Sequence, residues 1–149
     1  MTERLTYPKV APAAYRALLA LENHVRGSGL DARLRLLVYQ RVSQLNGCAF
    51  CLDMHDKELR EAGESNTRLA LLSVFREVPT VFDERERAAL AFAEALTVLS
   101  PRGVSDEVYA AAKAQLSDAE LVELSLAVAT INAWNRVNVA FHTAPASTR

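Results

Sequence analysis

Cys48 and Cys51 are the only cysteines among 149 residues, and His55 follows the second by four positions. On an α-helix, steps of three, four and seven residues return to one face, so the three side chains share a stripe. Two thiols at that spacing can pair with each other, and an imidazole one turn away can take a proton from one of them. A thiol attacks peroxides and disulfides only as thiolate, and a free cysteine with a pKa of about 8.5 is mostly protonated at neutral pH. Three features of the segment favour the thiolate. Unpaired N–H groups at a helix start attract negative charge. The neighbouring thiol can donate a hydrogen bond, and His55 can accept the proton directly or through water. The i, i+4 relation to His55 makes Cys51 the activated nucleophile. Cys48 then condenses with its sulfenic acid to a disulfide, and an external thiol system must reset the pair.

Two other readings compete. Buried cysteines often behave as small hydrophobes. Cys-x2-Cys-x3-His also supplies three zinc ligands, but ligands crowded on one helix need a fourth from elsewhere, and His24 and His142 are the only other histidines. A thioredoxin-like arrangement calls for a βαβ pattern that this chain lacks. The redox pair is therefore the leading reading, with neither a resident metal nor a cofactor expected.

The elements that must position these groups read as helices, with almost no strand alternation. Pro12 suits a first helical turn, and Tyr15, Leu18, Leu19 and Val25 continue the pattern to a stop at Gly27. Asp31 caps a second helix carrying Leu34, Leu37, Val38 and Val42. Asn46-Gly47 breaks it. A third helix runs from about Cys48 to Ala62, with Gly63 beyond its end. Ser65 caps a short helix with Leu69, Leu72 and Phe75, ahead of Pro79. Asp83 and Glu86 form a capping box that opens a helix reaching about Leu99. After a turn at Pro101 and Gly103, Ser105 caps a helix to about Gln115. Ser117 and Glu120 make a second box, and the last helix reaches about His142. The tail after Ala144 reads as frayed. The fold class is all-α: one helical domain over 1–149, with its core at about 12–143.

Half the residues are hydrophobic and the net charge is −1. That excludes a disordered tail and gives no basic surplus for nucleic acid or acidic lipid. The stretch from Leu121 to Phe141 is apolar, but Glu123, Asn132, Asn135, Arg136 and Asn138 would be costly in lipid. We read it as a helix buried on most sides, partly by an oligomer interface. The polar N-terminus carries no secretory pattern, so a cytoplasmic location and no membrane partner are expected.

The segment Ser43–His55 resembles the core of the alkylhydroperoxidase D-like branch of the carboxymuconolactone decarboxylase family. Glu84-Arg85-Glu86-Arg87-Ala88-Ala89-Leu90, with Glu94 and Thr97, resembles the helix that follows, and Ile131–Arg136 resembles its C-terminal helix. The likeness spans about Leu18 to Phe141. It implies an all-helical homo-oligomer, trimer or hexamer, and a thiol peroxidase that takes a hydroperoxide substrate and is reduced by a dithiol or protein-thiol partner. Under it, Cys51 is the peroxidatic nucleophile, Cys48 the resolving partner, and His55 part of a proton relay.

One departure stands out. The best-known members carry a glutamate twelve positions before the first cysteine, where this chain has Leu36. Glu86 and Glu94 are the candidate replacements, although Glu86 also serves the capping box. Tyr39 and Gln44 read as core or helix-surface residues. Asn132, Asn135 and Asn138 read as structural amides. Trp134 and Arg136 fit an interface anchor as well as a site, and His24 and His142 read as surface or structural.

The expected activity is a thiol-dependent hydroperoxide reductase. A redox sensor or disulfide-exchange module with weak peroxidase activity is the alternative, and a zinc-binding structural protein the next.

Overall fold

The computed structural model describes residues 2–148, and every regular element among them is a helix. In order they are α1 (Tyr7–Val10), α2 (Pro12–Gly27), α3 (Ala32–Asn46), α4 (Ala49–Glu61), α5 (Asn66–Leu71), α6 (Glu84–Thr97), α7 (Asp106–Gln115) and α8 (Asp118–Phe141). A 3-10 segment, Leu72–Glu77, continues α5, and a second occupies Ala146–Thr148. The fold is all-α, as expected.

Local chemistry accounts for where the helices start. Asp31, Ser65 and Ser105 each accept a hydrogen bond from the backbone N–H three residues on. Asp83 with Glu86, and Ser117 with Glu120, close reciprocal capping boxes. Each such cap satisfies an otherwise orphaned donor and contributes about 1 kcal/mol. α6 stops at Thr97, short of the expected Leu99: the Thr97 hydroxyl bonds back to the Ala93 carbonyl, and a turn from Ser100 to Gly103 takes over.

α3 lies at the centre, packed against α4, α6 and α8. It is buried on nearly all sides through Leu34, Leu36, Leu37, Val38, Tyr39 and Val42. α8 faces it with Leu124, Ala127, Val128 and Ile131, which recur at helical spacing. Further along the same helix the inward residues become Asn132, Asn135 and Asn138. No helix among the described residues is long and apolar enough to cross a membrane.

The joint between α3 and α4 places the cysteines. Gly47 adopts a left-handed φ of 65°, where a side chain would be strained. Its N–H and that of Cys48 return to the Gln44 and Ser43 carbonyls. The chain therefore reverses within two residues, and α4 begins with Cys48 as its N-cap rather than as a helical residue.

Residues 145–148 are not frayed, against the expectation for the tail after Ala144. Ser147 donates its N–H to Asp53 Oδ2 at 3.2 Å and its hydroxyl to Asp53 Oδ1, docking the 3-10 turn on α4. Local composition predicts loose ends; a carboxylate 94 positions upstream satisfies both donors.

Candidate active site

Cys48 and Cys51 form a disulfide across the first turn of α4, with Cα atoms 5.4 Å apart. Their residue exposures are 0% and 1%, so solvent has almost no access to either. Cys48 Sγ also accepts the Cys51 N–H at 3.4 Å. This is the helix-start environment that favours a thiolate.

His55 lies one turn on, buried, with its ring edge-on to Tyr39 at 5.1 Å between centroids. Its Nδ1 is 2.8 Å from Glu58 Oε2. Its Nε2 has no hydrogen-bond partner among the described residues. The imidazole is thus held through one nitrogen while the other is left for chemistry. The hydrogen bond from His55, with further help from Arg26, holds the Glu58 carboxyl down at about 2.

A cavity of about 280 Å³ opens onto Cys51 and His55. Tyr7, Tyr15, Phe50 and Trp134 form much of its wall. Cys48 does not line it. That sulfur's residue borders a second cavity, of about 450 Å³, which Cys51 does not reach. Phe50 and Asn138 line both and stand between them. The helical stripe suggested that all three groups face one space; the N-cap geometry of Cys48 separates it from the other two.

Neither carboxylate expected to replace the missing glutamate belongs to this site. Glu86 accepts from the Asp83 N–H at 3.0 Å and from Arg68 at 2.5 Å. Glu94 pairs with Arg41 and Arg76, each at 2.6 Å. Leu36 is buried in the core. The site's carboxylates are instead Glu58 and Glu22. Glu22 is buried on α2, accepts from the Tyr39 hydroxyl at 3.1 Å, and pairs with Arg26 at 2.7 Å. Arg26 also bonds Glu58 at 3.0 Å, completing a Tyr39–Glu22–Arg26–Glu58–His55 chain. Burial, then the Glu22 charge, push the Tyr39 phenol far up, so it stays protonated as a donor.

A sign of Glu22 was present in the sequence: it falls between Leu18, Leu19 and Val25 on one helical face, and a carboxylate on an apolar stripe needs a partner. Glu58 was equally visible as the i+3 neighbour of His55.

The asparagines divide into two roles. The Asn46 amide donates to Asn132 Oδ1 at 2.9 Å and Asn135 Oδ1 at 2.8 Å, and Asn135 donates to Ser43 at 3.0 Å. These bonds tie α8 to the α3–α4 joint. Asn138 differs: its amide donates to Cys51 Sγ at 3.6 Å, and its oxygen accepts from Tyr7 at 3.3 Å. Arg136 bonds back to Asn132, whereas Trp134 turns toward the cavity, edge-on to Tyr15. Gln44 accepts from Arg41 at 3.1 Å, outside the cavity. His24 pairs with Glu123 at the surface, and His142 ends α8 in a left-handed conformation.

Comparisons with known proteins agree with this architecture. Residues 12–95 match the carboxymuconolactone decarboxylase family. The chain is 33% identical to the uncharacterized protein YdfG of Bacillus subtilis over 147 residues, 99% of each chain. A crystal structure from Agrobacterium tumefaciens, of a protein of unknown function provisionally named as the antioxidant defence protein AhpD, superposes with a TM-score of 0.93 at 42% identity. It covers 97% of this chain and 98% of that one. The debrominase Bmp8 shares the fold at 21% identity, with a TM-score of 0.79 over 90% of this chain and 72% of its own.

Proposed function

The chain belongs to the carboxymuconolactone decarboxylase family, in its alkylhydroperoxidase D-like form, and from that premise we propose that it is a thiol-dependent hydroperoxide reductase. Family and fold leave the reaction open, because one scaffold hosts several chemistries. The observation that carries the reading is the cavity that Cys51 and His55 share, with Asn138 donating to the same sulfur.

In the reduced protein, the Cys51 thiolate attacks the distal oxygen of a hydroperoxide. The O–O bond breaks, and the alcohol leaves with a proton delivered from His55 Nε2. Glu58 orients the ring through Nδ1, and the apolar cavity wall limits water. The Cys48 thiol then attacks the Cys51 sulfenic acid, expels water and forms the disulfide. A dithiol returns two electrons and two protons.

Mixing reduced protein with several hydroperoxides in a stopped-flow instrument tests this. Fast oxidation is expected, lost in Cys51→Ser, while Cys48→Ser should accumulate a sulfenic acid detectable by mass spectrometry. Full activity in Cys51→Ser would refute the assignment.

A second reading, a redox sensor or disulfide-exchange module, has its own support in Leu36 at the position of the family's relay glutamate. Oxidation by peroxide no faster than that of a free thiol, with ready disulfide exchange, would favour it. In either reading we expect a homo-oligomer, trimer or hexamer, which sedimentation would measure.

A further inference from the structure

The two cysteines open onto different spaces, and the space beside Cys48 is walled by the segment that follows α8. His142, Thr143, Ala144, Pro145 and Thr148 line that cavity together with Cys48. We propose that this second cavity is the site where a dithiol reductant attacks Cys48, and that Thr143–Thr148 gates it through the Ser147–Asp53 latch. The inference rests on the redox-active disulfide of the preceding reading and adds where the electrons return.

Three observations carry it. Cys48 borders the cavity yet is 0% exposed, so an attacking thiolate reaches its sulfur only after something moves. The other side of the cavity is formed by Ala49 and Phe50 in the first turn of α4 and by Asn138 and Val139 in the last turn of α8, where the Cys48 N-cap and the bonds of the His142 N–H to the Asn138 and Val139 carbonyls hold the backbone. The post-α8 segment is held differently: the Thr143 N–H bonds the Asn138 carbonyl at its root and the Thr148 N–H bonds the Pro145 carbonyl within it, while among the described residues its side-chain-mediated ties to α4 are the two bonds from Ser147 to Asp53. A segment held by few, solvent-exposed hydrogen bonds opens at low free energy.

The chemistry favours the same sulfur. In thiol–disulfide exchange, the better leaving group departs faster and access decides which sulfur is struck. Attack on Cys48 Sγ forms a mixed disulfide there, breaks the S–S bond and expels Cys51 as thiolate. That leaving thiolate receives the Asn138 amide hydrogen bond and faces His55. The reductant's second thiolate then attacks its own sulfur in the mixed disulfide. It closes a cyclic disulfide and releases Cys48 as thiol after protonation from solvent. Hydroperoxide and reductant would therefore approach from opposite sides of the Phe50–Asn138 partition, so that neither need leave before the other arrives.

The test measures reduction of the oxidised full-length protein by dithiothreitol, without peroxide, in Asp53→Ala, Ser147→Ala and the unaltered chain. Losing a hydrogen bond to a carboxylate shifts an opening equilibrium about tenfold, so Ser147→Ala, which loses the hydroxyl bond, should be reduced about tenfold faster and Asp53→Ala, which loses both bonds, faster still. Asp53→Asn, which keeps one acceptor oxygen, should fall between. Oxidation of the reduced variants by hydroperoxide should keep its rate, because Cys51 and its cavity are untouched. Brief treatment with 2-mercaptoethanol followed by acid quenching and fragmentation should place the adduct on Cys48. Equal reduction rates in all four proteins, or an adduct on Cys51, would overturn the proposal. Because no peroxide enters the reduction assay, inactivity toward hydroperoxides would count against the peroxidase reading alone.

Discussion

His55 Nδ1 lies 2.8 Å from Glu58 Oε2, a carboxylate one turn along the same helix, while His55 Nε2 has no partner among the described residues. One nitrogen is anchored and the other is available, the division of labour that a positioned acid–base group requires.

Removing the anchor should impair proton transfer without removing the imidazole. For Glu58→Gln, the rate of Cys51 oxidation by hydroperoxide is expected to fall by about tenfold to a hundredfold, less than a full general acid–base contribution because the imidazole itself remains. Its pH profile should move as well. Stopped-flow measurements across pH 5–9 check both; an unchanged profile would remove Glu58 from the relay.

Asn138 should set the thiolate population of Cys51. A hydrogen bond to a charged acceptor favours the charged form, so Asn138→Leu should lower the thiolate fraction of reduced Cys51 and move its alkylation to higher pH. The pH dependence of alkylation of the reduced protein reads this directly. Alkylation at the same pH midpoint as in the unaltered chain would make Asn138 purely structural.

Glu86 and Glu94 should matter for stability and not for turnover. Glu94→Gln weakens pairing with Arg41 and Arg76, and Glu86→Gln weakens a capping box and the Arg68 pair. A lowered urea midpoint with unaltered peroxide kinetics is expected for each. A selective loss of activity in either would restore it to the site.

Acid should destabilise the fold in a defined window. Glu58 is held at about 2, first by His55, and Glu120 at about 2, first by Arg85, against an ordinary value of 4.5. A carboxyl depressed in the folded state contributes stability that is complete above its unfolded pKa and disappears as pH falls through the folded one. Urea midpoints should therefore hold steady down to about pH 4.5 and drop toward pH 2. Glu58→Gln should flatten part of that drop.

Much of the fold was legible because its signals are local. Asp31, Ser65, Asp83, Ser105 and Ser117 announce helix starts through side chains that reach only three residues along the chain, and Gly47 announces the reversal before α4. Spacing alone likewise put Cys51 and His55 on one face. The short α1 and the docked turn at Ala146–Thr148 carry no local signal, and the tail reads as frayed, since Asp53 stabilises that turn from 94 positions away. Glu22 and Glu58 are discernible as a carboxylate on an apolar stripe and as the i+3 neighbour of His55, whereas Glu86 and Glu94 lie on a helix whose carboxylates serve the Arg41, Arg68 and Arg76 pairs.

The chain's order of residues by itself determined an all-helical protein with a cysteine pair at a helix start and a histidine one turn beyond, because helix geometry and capping act over a few residues. Only the tertiary structure decided which carboxylates attend the histidine, that Asn138 reaches Cys51, and that the two cysteines border separate cavities. Those relationships join α2, α4, α8 and the segment beyond it, and they depend on how buried helices pack, which no local spacing records.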